Sequence, residues 1–221
     1  MGPRGIVGGA CALVVAVVLS ACQSSTPTTS VGTSRPATSP SAVVTRLPTE
    51  DFPGATLLAA PRAALTVSIP EGWDTVTREQ ATAMDDAELA DLERSWRLTE
   101  GFLTGLARTD SFELYAIDHD GVDEVRVLWL DQKVLATKDA FAAVARSLGA
   151  RVVDSAAIAT PVGYQAVAHV VENGTADPAF YGSVVMALSG GGTTFLVALS
   201  DSSEHLRPLE DRLVRGLAPR G

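Results

Sequence analysis

The chain has 221 residues, a formal net charge of −9 and only two lysines, Lys133 and Lys138. Its acidity argues against a nucleic-acid partner, whose phosphates need Lys and Arg to neutralise them, and against adsorption on anionic lipid headgroups. Both cysteines, Cys11 and Cys22, fall near the N-terminus, so the bulk of the chain excludes disulfides, thiolate metal sites and thiol nucleophiles.

A lone basic residue, Arg4, precedes an apolar run over 5–19 and then Leu19-Ser20-Ala21-Cys22. A basic start, an apolar segment and small residues before a cleavage point describe a secretory signal peptide. The run is short for a bilayer span, which needs about 20 residues. Leu-Ser-Ala-Cys resembles the bacterial lipobox. That resemblance implies diacylation of Cys22 on sulfur, cleavage on its amino side, and a mature chain held on the outer face of the cell membrane by its acyl chains. Two or three chains on one residue matter, because one chain alone anchors only marginally. The segments expected are therefore a signal peptide over 1–21, a lipidated cysteine with its tether over 22–46, and one folded domain over 47–221.

The tether is nearly all Ser, Thr and Pro. Such a composition buries too little to offset conformational entropy and is expected to be disordered. Its span is about 25–30 Å as a flexible coil. The scarcity of lysine beside abundant Ala, Val, Gly and Arg suggests a GC-rich genome, and with the lipobox an actinobacterium, on compositional grounds.

Leu65-Thr66-Val67-Ser68-Ile69 alternates as a half-buried strand does, and Pro70-Glu71-Gly72 ends it before Trp73. Thr77 with Gln80, and Asp85 with Glu88, spell two capping boxes. Leu89, Leu92, Trp96, Thr99, Leu103 and Leu106 then recur at three- and four-residue steps, which predicts one amphipathic helix. Strands are predicted over 112–117 and 124–130, joined by the acidic turn Asp118-His119-Asp120-Gly121. Thr137 caps a helix burying Phe141, Val144 and Leu148, with Gly149 as its terminator. An extended stretch over 151–159 precedes a three-stranded meander over 164–172, 181–189 and 193–200. Asn173-Gly174 and Gly190-Gly191-Gly192 mark its turns. Leu206, Leu209, Leu213 and Leu217 predict a closing helix, with Pro208 in its first turn.

Strands in runs, with helices between the groups and at the end, predict an α+β fold built on an antiparallel sheet. The strand ending in Ile69-Pro70-Glu71-Gly72-Trp73 and the order of elements after it resemble the PsbP-like fold. More specifically, the layout resembles the LpqN-type lipoproteins of mycobacteria and related actinobacteria. What that resemblance implies is six or seven antiparallel strands flanked by helices, surface attachment, and a non-enzymatic role in binding proteins or other envelope components.

No catalytic constellation is legible. No Ser sits in Gly-x-Ser-x-Gly, and no base or oxyanion pocket is marked. The acidic run 118–124 does not follow the EF-hand order and reads as a solvated turn. His119, His169 and His205 are too far apart in sequence to suggest a zinc set. The expectation is therefore no metal and no cofactor. Phe180 and Tyr181, after a loop at the sheet end, are the candidate partner contacts. The leading expectation is a protein-interaction module at the cell envelope. The alternative is a carrier of an apolar ligand such as a lipid, which requires a pocket of several hundred cubic ångströms with apolar walls.

Overall fold

The structure is a computed structural model that describes residues 49–173 and 178–220, and only the backbone at 160 and 163–165. Cys22, the expected signal peptide over 1–21 and the expected tether over 22–46 lie outside the described residues.

Two antiparallel sheets carry the fold. β3 (Asp74–Thr77), β4 (Phe112–Ile117), β5 (Glu124–Leu130), β6 (Ala150–Thr160), β7 (Gly163–Glu172), β8 (Tyr181–Ser189) and β9 (Gly192–Ser200) form a seven-stranded sheet in the order β3-β4-β5-β9-β8-β7-β6. β1 (Ala55–Ala60) and β2 (Leu65–Pro70) pair with each other, and β2 also pairs with the short β10 (Ala218–Pro219). The expected seven-stranded antiparallel sheet is present and the class is α+β. The strand at 65–69 does not join it but builds the smaller sheet.

Alternation along the strands sends side chains to two separate cores. On one face Phe112, Ile117, Val184, Met186, Phe195 and Val197 pack under four helices. These are α1 (Arg78–Ala83), α2 (Asp86–Ser95), α3 (Phe102–Ala107) and α4 (Lys138–Ser147). On the other, Leu114, Val125, Val127, Val185 and Leu196 pack against Leu65, Val67 and Ile69 and against α5 (Ser203–Arg215). With both faces covered, β9 is buried along its whole length. The second layer is thus shared between a helix and the three-stranded sheet.

Local signals formed the caps as expected. Both capping boxes are closed, at Thr77–Gln80 and at Asp85–Glu88, and Thr137 Oγ1 accepts from the Ala140 amide at the start of α4. The β8–β9 hairpin turns through Gly190 and Gly191, both with positive φ (58° and 82°), which glycine adopts without a Cβ clash. At Gly190 a Cβ would also stand 1.9 Å from the Arg62 carbonyl oxygen.

Two helix predictions need correction. The single helix expected over 89–106 is broken into α2 and α3, with Arg97 and Gly101 in the left-handed region. Glu93, 2% exposed, accepts from the amides of Gly101 (2.7 Å) and Thr104 (3.1 Å). A buried carboxylate must be hydrogen-bonded, and those two amides are free only because the helix stops and restarts. In α5, Pro208 lies inside the helix and not in its first turn. The helix starts earlier because Ser202 accepts from the His205 amide, and that cap sets the first turn.

Candidate functional site

Two concave regions lie at opposite ends of the β5–β9 pair. The first is a groove of about 560 Å³ open to solvent. The segment 131–137 is tied across the end of β9 by Thr193, whose hydroxyl donates to the Gln132 carbonyl (2.7 Å) and accepts from the Val134 amide (2.8 Å). That tie places Leu135 and Phe141 opposite Ala157, Ala166, Met186 and Leu188. The opposing alanines leave the space that larger side chains would fill. Among the described residues no charged side chain contributes to the walls, and Leu135 (76% exposed) and Leu188 (53% exposed) form an apolar rim. Such a groove has the size and lining of a small-ligand site.

The second is a cavity of about 430 Å³ walled by Asp118, Asp120, Asp123, Asp201, His205 and Arg212 together with Trp73 and Pro70. Pairing of Glu124 with Leu199 brings Asp123, just before β5, alongside Asp201, just after β9. Four residues further on, in the first turn of α5, His205 places Nδ1 3.3 Å from Asp201 Oδ1. One donor atom from each of Asp123, Asp201 and His205 then lies within 4.8 Å of the others. Burial pushes the Asp123 carboxyl above its ordinary value. Ser200 and His205 pull it back down, while Asp118 and Asp201 add to the rise.

The acidic run 118–124 therefore splits three ways and is not a uniformly solvated turn. Asp118 Oδ1 accepts from the Val122 (2.6 Å) and Asp123 (3.0 Å) amides and so shapes the turn. Glu124 points to the helix-covered face, where Tyr115 Oη donates to it at 2.8 Å and Arg126 Nε at 2.8 Å. Asp123 alone joins the convergent group. His119 stays exposed and lies outside that group. His169 is held elsewhere, between Asp154 and Glu210.

Of the aromatic pair singled out from sequence, Phe180 needs correction. Phe180 is 8% exposed and belongs to the helix-covered core. Its segment is folded back along β7, because the Glu172 amide donates to the Phe180 carbonyl and the Glu172 carboxylate accepts from the Ala179 amide. Tyr181 is half-buried against the other core. Among the described residues the exposed large apolar side chains are instead Leu57, Leu135, Val153 and Leu188. Trp73 packs against the core that α5 covers and lines the acidic cavity.

No protein-family model matches this chain, and no curated protein matches it. Among solved structures, the solution structure of cyanobacterial PsbP (CyanoP) from Synechocystis sp. is similar, at 10% identity and a TM-score of 0.51. It covers 76% of this chain and 94% of that one. The fold is accordingly PsbP-like. The crystal structure of the Ran-binding protein Mog1p of Saccharomyces cerevisiae is more loosely similar, at 11% identity and a TM-score of 0.44 over 75% of this chain and 95% of that one.

Proposed function

We propose that this chain is a non-enzymatic binding protein whose ligand is apolar and sits in the groove between 131–137, α4 and the β6–β8 strands. The observation that carries this reading is the wall itself: about 560 Å³ lined, among the described residues, without one charged side chain. Burying apolar surface there contributes about 25 cal/mol per Å², and no ionised group has to lose its water. An aliphatic or acyl chain suits that lining. The Leu-Ser-Ala-Cys motif supports the rest of the proposal: lipid on Cys22 and attachment to the outer face of the cell membrane, which would keep the groove near the bilayer. The likeness to LpqN-type lipoproteins agrees with a binding role in the envelope.

A protein partner is the second reading, and one observation favours it. β6 is an edge strand of the large sheet, eleven residues long and mostly exposed. A partner strand can add to such an edge.

Native mass spectrometry of the chain after gentle extraction from its membrane tests the first reading. A co-purifying lipid lost on denaturation is the expected result. A bare domain that also fails to take up added fatty acid or phospholipid would overturn it. Crosslinking in cells that captures one protein through β6 would then support the second.

A further inference from the structure

From the acidic cavity at the other end of the sheet, we infer that Asp123, Asp201 and His205 form a binding site for a divalent transition-metal ion of the zinc type. The three residues come from three segments, the turn before β5, the β9–α5 connection and the first turn of α5, and they converge on one point. Zinc takes carboxylate oxygen and imidazole nitrogen at about 2.1 Å, so tetrahedral donors stand about 3.4 Å apart. His205 Nδ1 and Asp201 Oδ1 already stand 3.3 Å apart. The Asp123 donor atom lies within 4.8 Å of both.

A second observation concerns Asp123 itself. The Ser200 hydroxyl hydrogen-bonds its half-buried carboxyl, yet Oδ1 is enclosed by protein and finds no donor among the described residues. A buried carboxylate oxygen without a donor is costly and calls for a partner. A cation supplies one. Four carboxylates, Asp118, Asp120, Asp123 and Asp201, face the cavity against the single guanidinium of Arg212, which concentrates cations there. The imidazole selects zinc-type ions over calcium or magnesium, which prefer all-oxygen sets. Three protein donors leave one position open to water or to an anionic group of a partner.

Calorimetric titration of the chain with zinc, any free thiol being alkylated first, tests the site. One saturable event is expected in the native sequence and in His169→Gln. Asp123→Asn and His205→Ala should each weaken it by about tenfold or more. His205 is exposed, so its variant keeps the fold even if Asp123→Asn does not. Cobalt(II) in place of zinc should give visible absorption bands that His205→Ala removes. No saturable zinc binding, or His205→Ala binding as tightly as the native chain, would overturn the site. So would loss of binding in His169→Gln.

Discussion

Nε2 of His169 lies 2.8 Å from Oε2 of Glu210, which ties the middle of β7 to α5 across the second core. The other ring nitrogen lies 2.5 Å from Asp154 Oδ1 on β6. Only the doubly protonated ring donates to both carboxylates. Burial lowers the histidine's pKa, but the hydrogen bond to Asp154 and the charges of Glu210 and Asp154 together outweigh it and the pKa rises. Raised above its unfolded value, the group stabilises the fold fully below about pH 6.5. That contribution is lost as pH rises through the folded-state pKa. His169→Gln should therefore lower Tm more at about pH 5.5 than at about pH 8.5. Equal losses at both would contradict the bridge.

Asp123 follows the same sign with a different consequence. Its carboxyl is also raised, so its favourable contribution is confined to acid and disappears as pH climbs through the folded-state value. At neutral pH, without metal, the half-buried carboxylate burdens the fold. Asp123→Asn should raise Tm at pH 7 in the presence of a chelator. Adding zinc should close or reverse the gap, since an ion that binds only the folded state stabilises it. Thermal melts of the two chains with and without zinc decide it.

Arg62 is the counterion of Glu113, which is 1% exposed. The guanidinium also donates to the Phe112 carbonyl at 2.8 Å and lies over the Trp129 ring at 5.2 Å. Arg62→Ala strands the buried carboxylate and should destabilise the domain by about 3 kcal/mol. Replacing both residues by apolar ones should cost less than that. Urea unfolding of the single and double variants measures the difference.

Ala157 lines the apolar groove from an exposed position on β6. Ala157→Trp should fill the space and reduce lipid uptake by about tenfold or more, a change of about 1.4 kcal/mol. Its effect on stability should stay within about 0.5 kcal/mol, as for other surface changes. Native mass spectrometry with added fatty acid reads the first and a thermal melt the second. Undiminished uptake would place the ligand elsewhere.

What was legible in the sequence depended on how far apart the interacting residues lie. The caps at Thr77, Asp85 and Thr137 act over three residues, so their spelling was enough. The meander was legible because Gly190-Gly191 and the alternation on either side are local. The break between α2 and α3 was not, since Glu93 reaches forward eight and eleven residues to the Gly101 and Thr104 amides. The group Asp123, Asp201 and His205 was hidden for a stronger reason. It exists only because β5 pairs with β9, and nothing local to either segment announces that pairing. Phe180 misled because the hydrogen bonds of Glu172 to Ala179 and Phe180 hold its segment against β7, a matter of pairing and not of composition.

The β5–β9 ladder runs without interruption from Glu124 opposite Leu199 to Leu130 opposite Thr193, a stiff strut of about 20 Å. One tip is greasy and the other anionic. The two proposed guests would thus meet no steric competition from each other, and a molecule gripped at one tip would leave the opposite tip free to meet something else.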